Sequence, residues 1–204
     1  MKIEIVSDVI CPWCYIGKRR LEKALSLIDA KTEVEIQWLP FQLNPDMPRE
    51  GVARAEYRRA KFGSVERGRQ LDARVAAEGK GEGIAFAFDR MQRTPNTIAA
   101  HRLIALAQKQ GVGQKVVDAL FKAYFEDALD VGNPETLNNI AVQCEVRGWP
   151  EQADEKEVTA LEASMRGFGI SAVPTFIFDR KFAVSGAHPP ESLAQAMREA
   201  AADK

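Results

Sequence analysis

Ser7-Asp8-Val9-Ile10-Cys11-Pro12-Trp13-Cys14-Tyr15-Ile16-Gly17 is the stretch that decides the fold. An apolar-alternating run, Lys2 to Val6, precedes it and a helical pattern, Lys18 to Leu27, follows, so the two cysteines fall where a strand turns into a helix. A helix N-terminus carries roughly half a positive charge on its unpaired N–H groups and stabilises an anion placed there. Cys11 takes the N-cap position and Pro12 the first helical position, where the missing proline donor costs nothing. Cys14 follows one turn below. The spacing therefore predicts that Cys11 faces solvent and has the lower pKa, while Cys14 is buried and placed to close a disulfide.

A thiol of pKa ~8.5 is only about 3% thiolate at pH 7, whereas a helix-terminal thiol shifted to about 6 is about 90% thiolate. The lower intrinsic nucleophilicity of the stabilised thiolate gives back about tenfold of that roughly thirtyfold gain. The main effect is on equilibrium: a stabilised Cys11 thiolate is a good leaving group and favours the reduced dithiol. The competing reading is half of a zinc site. A zinc ribbon or finger needs a second pair of Cys or His at similar spacing, and the remaining candidates, Cys144, His101 and His188, each stand alone. Redox chemistry is the better reading and no metal is expected.

The chain has 204 residues and a formal net charge of −1, enough to bury a core and without the basic excess that attracts phosphate. Nucleic acid is excluded as a partner on that ground. No apolar run approaches the ~18 residues of a membrane span, and the chain opens on a strand-like segment instead of a leader. A cytoplasmic location follows as the expectation. Three cysteines in such a compartment do not make a structural disulfide framework.

Along the chain, Thr32 to Leu39 alternates strictly and reads as a strand at a sheet edge, parallel to the first across a right-handed crossover. Pro40 to Pro48 reads as a loop. Val52 to Ala77 is helical in period with a break at Gly63, and the basic run from Arg54 to Lys61 reads as a solvated helix face. Gly79-Lys80-Gly81-Glu82-Gly83 reads as flexible. Thr94 is expected to cap a helix opened by Pro95, Gly113 to Ala128 to form another, Asn133 to cap a third, and Pro150 to Arg166 to form a fourth. Strand signals return at Thr175 to Phe178 and Phe182 to Ser185 as a hairpin, and a helix opened by Pro190 ends the chain.

Ser7 to Gly17, together with Ala172-Val173-Pro174-Thr175-Phe176, resembles the DsbA-like branch of the thioredoxin superfamily. The FrnE-like subgroup, related to 2-hydroxychromene-2-carboxylate isomerases and kappa-class glutathione transferases, is the most similar. Pro95-Asn96-Thr97, Ala100-His101-Arg102-Leu103 and Leu120 to Phe125 extend the resemblance over nearly the whole chain. It implies an α/β thioredoxin fold, β-α-β then β-β-α, in which residues 1–48 and 167–204 form the thioredoxin-like domain and 49–166 a helical insertion covering the face that carries Cys11. It also implies a thiol-disulfide oxidoreductase with Cys11 and Cys14 catalytic. The alternative is a glutathione-dependent isomerase or transferase, but those enzymes generally carry serine where Cys11 stands. No cofactor is implied beyond the cysteine pair, with glutathione as a conceivable co-substrate. The partners would be proteins or small molecules bearing a thiol or disulfide, with a homodimer also admitted.

An X-Pro bond at a strand start is ordinarily trans, but the resemblance implies a cis Val173-Pro174 bond beside Cys11. Val173 and Pro174 would then bind substrate by strand addition, with Trp13 as an exposed substrate contact. Asp8 reads either as a proton relay for Cys14 or as an ordinary strand end. His101 reads as a structural histidine, and Cys144, on the stripe Leu137, Ile140, Ala141, Cys144, as a core thiol. Phe41, Phe86, Phe88 and Met91 read as cleft wall or core.

Overall fold

The computed structural model describes residues 1–202. Lys2–Ser7 (β1) runs into Pro12–Leu25 (α1), and Glu35–Pro40 (β2) returns parallel to β1, with Lys2 opposite Glu35 and Ser7 opposite Pro40. Thr175–Phe178 (β5) and Phe182–Ser185 (β6) form an antiparallel hairpin that joins β1, giving a four-stranded sheet of order β2-β1-β5-β6. Strand alternation sorts the side chains of β1. Ile3 and Ile5 join Phe176 and Phe178 in the main core, which takes in α1 and Pro190–Ala202 (α8). Val6 points the other way, into a smaller cluster with Leu39, Phe41 and Met165.

Between β2 and β5 the chain forms Val52–Ala53 (β3), Arg54–Phe62 (α2), Val65–Gly81 (α3), Arg93–Thr94 (β4), Ile98–Lys109 (α4), Gly113–Phe125 (α5), Pro134–Gln143 (α6) and Glu155–Gly167 (α7). Helices α3 to α6 share the main core with the sheet, while α7 packs on the smaller cluster through Met165. Tyr15 of α1 stacks on Phe121 of α5 at 5.0 Å, Phe125 meets Phe86 edge-on at 5.2 Å, and Phe86 stacks on Phe88 at 4.7 Å. Each such pair contributes about 0.5–1.5 kcal/mol beyond the area it buries. Phe86 and Phe88 are partly buried against the main core and, with buried Met91, also line a cleft beside α2 and α3, whereas Phe41 belongs to the smaller cluster under α7.

Four local expectations are corrected. The helix expected from Thr94 starts at Ile98: Thr94 pairs with Val52 in a two-stranded ladder, and the Asn96 side chain accepts the Ile98 N–H at 3.0 Å. The helix expected from Pro150 starts at Glu155, because Asp154 caps it by accepting the Lys156 N–H at 2.8 Å. The stretch Gly79 to Gly83 is docked. Gly79 lies under Phe86, where an added Cβ would come 2.3 Å from the ring, and Glu82 is held by Arg20 at 2.7 Å and Lys23 at 2.6 Å. The basic run is not wholly solvated either, since Arg54 and Arg58 turn inward onto Asp72 of α3 at 3.1 and 2.8 Å.

The free edge of β2 is closed by side chains. The Gln108 amide accepts the Trp38 N–H at 2.6 Å and donates to the Trp38 carbonyl at 3.0 Å, as a neighbouring strand would. Beyond the strand end, Glu162 accepts from the Gln42 backbone and side chain, both at 2.8 Å. Asp8 accepts the Leu43 N–H at 2.7 Å. The edge expected from the alternating pattern is present, and the helices cover it.

Candidate active site

Helix α1 begins immediately after Cys11, which has extended N-cap geometry (φ −88°, ψ 113°) and makes no side-chain capping bond. Pro12 occupies the first turn, and that turn contains no acidic residue, so the positive end of the helix dipole is not neutralised from within the helix. The Cys14 N–H donates to the Cys11 carbonyl at 3.0 Å, which sets the second cysteine one turn down.

The chain from β5 reaches the same point. The Val173-Pro174 bond is cis, and the Cys11 thiol donates to the Val173 carbonyl at 3.7 Å. Gly17 permits this approach: a Cβ there would lie 3.0 Å from the Pro174 ring and 3.1 Å from Phe176. Cys11 was expected to face solvent, but the residue is only 5% exposed, because the Val173 carbonyl lies against its thiol. Trp13, 40% exposed, is the outward-facing member of the motif.

Cys14 is buried, and both cysteines are free thiols. Burial pushes the Cys14 thiol well above the ordinary thiol range, and the neighbouring Cys11 sulfur adds to this through hydrogen bonding and charge. The Ser7 hydroxyl and the Asp8 backbone N–H act on the same sulfur in the opposite sense but do not outweigh the rise.

Asp8 is fully buried at the end of β1. One carboxylate oxygen takes the Leu43 N–H; the other lies 3.4 Å from Nε2 of buried His101 on α4. Neither of those two facing atoms completes a hydrogen bond within the protein. His101 thus faces Asp8 from inside the fold, a pairing that had no signal in local spacing. Cys144 is buried at the C-cap of α6, where burial raises its pKa. Among the described residues no group of three or more His, Cys, Asp or Glu gathers to hold a metal, and no helix is long and apolar enough to cross a membrane.

A strand-to-helix dithiol facing a cis-proline loop, on this sheet order, defines a protein of the thioredoxin fold. The DsbA-like thioredoxin domain model matches residues 2–198, and the chain belongs to that family. A probable DsbA oxidoreductase from Streptomyces coelicolor is 33% identical, with a TM-score of 0.90 over 100% of this chain and 91% of its own. The cytosolic disulfide reductase DsbM from Pseudomonas aeruginosa, solved with GSH, is 13% identical with a TM-score of 0.67, covering 98% of each chain. A 2-hydroxychromene-2-carboxylate isomerase is likewise 13% identical at a TM-score of 0.67, over 98% of this chain and 95% of its own. The last two likenesses are of fold.

Proposed function

We propose that the protein is a thiol-disulfide oxidoreductase of FrnE-like type in which Cys11 exchanges with the substrate and Cys14 resolves the mixed disulfide. The observation that carries this reading is the position of Cys11, at an unneutralised helix N-terminus and against Val173, with a second thiol one turn behind it. The Cys11 thiolate attacks a substrate disulfide, forming one S–S bond and expelling one substrate thiolate. Cys14, once deprotonated, attacks Cys11, closes the Cys11–Cys14 disulfide and releases the second thiolate; the dithiol loses two electrons and the substrate gains them. In reverse the same steps oxidise a dithiol, the direction being set by the potential of the pair against its compartment.

Trp13, Val173 and Pro174 form the substrate surface. The Val173 N–H has no partner among the described residues and is free to pair with an extended polypeptide backbone. Glutathione fits the same sulfur chemistry as a co-substrate. We assign the protein to the cytoplasm, where three cysteines are not expected to build a structural disulfide framework. We treat 1–48 with 167–204 as the thioredoxin-like unit and 49–166 as its insertion. The fold is shared with an isomerase, but isomerase or transferase chemistry has no use for a resolving thiol.

Trapping tests the reading. Cys14→Ser should accumulate a mixed disulfide at Cys11 with a disulfide-bonded peptide, and Cys11→Ser should accumulate none. Turnover of disulfides by Cys11→Ser at the wild-type rate would refute it.

A further inference from the structure

Helices α2 and α3 and the segment from Phe86 to Gln92 border a cleft of about 640 Å³, in which neither cysteine of the dithiol nor the Val173-Pro174 loop takes part. Small-molecule sites are clefts of about 300–1,000 Å³ with mostly apolar walls and a few charged groups, and this cleft has that character. Phe86, Phe88 and Met91 supply apolar surface, and Ala73 and Ala76 of α3 line it without filling it.

The charges in the cleft do not balance. Arg54 and Arg58 both turn onto Asp72, at 3.1 and 2.8 Å, and both side chains are only 12% exposed. One carboxylate neutralises one of them. The remaining positive charge is confined where burial, with the Arg54 charge beside it, pushes the Arg58 pKa down despite the attraction of Asp72. A clamp between α2 and α3 needs only one arginine. Arg54 makes its side-chain hydrogen bonds through Nη2; among the described residues its Nε and Nη1 have no acceptor, and both stay within reach of solvent. Its guanidinium lies 5.5 Å from the centre of the Phe88 ring, so the spare charge stands over the apolar surface of the cleft. Arg58 is seated by Gly68, where an added Cβ would come 2.7 Å from its Nε. The other charged groups lining the cleft, Arg69 and Asp89, are exposed and offset one another.

We propose that this cleft is a binding site for an amphipathic monocarboxylate, its carboxylate on the open donors of Arg54 and its apolar body against Phe86, Phe88 and Met91. A single negative charge restores neutrality to the group formed by Arg54, Asp72 and Arg58, and guanidinium-to-carboxylate hydrogen bonds are among the strong ones. An alcohol with the same chain would leave the imbalance in place, and a cation would add to it. The site involves no bond-making or redox step and does not depend on the dithiol reading.

The test is titration calorimetry of the reduced protein with sodium octanoate, 1-octanol and octyltrimethylammonium. Octanoate should bind with one-to-one stoichiometry and at least about tenfold more tightly than either of the others, the worth of hydrogen bonds to a charged group. Arg54→Gln should weaken octanoate by at least about tenfold and leave 1-octanol unchanged. Asp72→Asn removes the neutralising carboxylate and should tighten octanoate by about threefold or more, a gain that damage to the fold does not produce. Ala73→Glu adds a negative charge at an exposed position on the cleft wall; it should weaken octanoate and serves if the other two variants do not fold. Cys11→Ser should bind octanoate as wild type does, which keeps this test separate from that of the dithiol. Equal affinity for octanoate and 1-octanol, no octanoate binding up to about 10 mM, or octanoate affinity unmoved by Arg54→Gln or Ala73→Glu in a folded protein overturns the proposal. Binding of N-acetyl-triglutamate but not of octanoate would assign the cleft to an acidic protein partner and overturns it as well.

Discussion

One helical turn separates Cys11 from Cys14 but gives them different environments. Cys11 stands at the N-cap of α1 with its thiol toward the Val173 carbonyl, whereas Cys14 is enclosed and its charged form penalised by burial. At neutral pH iodoacetamide should therefore modify Cys11 first, and labelling of Cys14 in Cys11→Ser should require alkaline conditions; rates measured against pH on both single variants check this, and faster Cys14 labelling below pH 7 contradicts it. Cys144 is a separate case. It packs at the end of α6 with its pKa raised by burial, so it neither attacks nor leaves readily. Cys144→Ala should retain disulfide reductase turnover within about twofold while losing ~1 kcal/mol in a denaturant titration, the cost of a small core truncation.

Helix α1 and the Pro174 loop meet at Gly17, and that contact, more than either element alone, defines the site. Alanine at 17 would gain about 0.8–1.0 kcal/mol of helix propensity but would drive a methyl into the Pro174 ring and Phe176, an overpacking that typically costs 1–3 kcal/mol. Overpacking should win because both neighbours are buried. Gly17→Ala should melt lower and exchange disulfides more slowly, as read by thermal denaturation and by insulin reduction. The elements next to Cys11 and Val173 were legible in the sequence because each has a local signature: alternation for β1, an apolar run closed by a short turn for β5, and N-cap followed by proline for α1. The His101–Asp8 approach was not, since nothing within a few residues of either records where α4 docks. Helix starts failed wherever a stronger cap lay just downstream, as Asp154 does after Pro150.

At the scale of the whole molecule, the helices between β2 and β5 supply the hydrogen bonds that the sheet lacks along its β2 edge, and so hold the strand paired with β1, from which the chain runs on to Cys11. Gln108 satisfies Trp38, and Gln108→Ala would leave that backbone pair without its partners, a loss of about 1–3 kcal/mol. Glu162 performs the same task one step further, against Gln42, and is also bonded by Arg166 at 2.9 Å. Burial tends to raise the Glu162 pKa, but the hydrogen bonds from Gln42 and the Arg166 guanidinium outweigh it and leave the carboxyl below its ordinary value. A carboxyl depressed in the folded state stabilises the fold at pH above its unfolded value, about 4.3, and that contribution is lost as pH falls through the lower folded value. Glu162→Gln, which keeps an acceptor for the Gln42 N–H but no charge, should be less stable than wild type by roughly 1.5–3 kcal/mol at pH 7, the range for bonds to a charged group. The difference should begin to shrink as pH drops below about 4.3 and vanish once the native carboxyl is protonated. Urea unfolding of both proteins from pH 7 to pH 3 measures it; a gap independent of pH would mean that Glu162 acts by shape and not by charge.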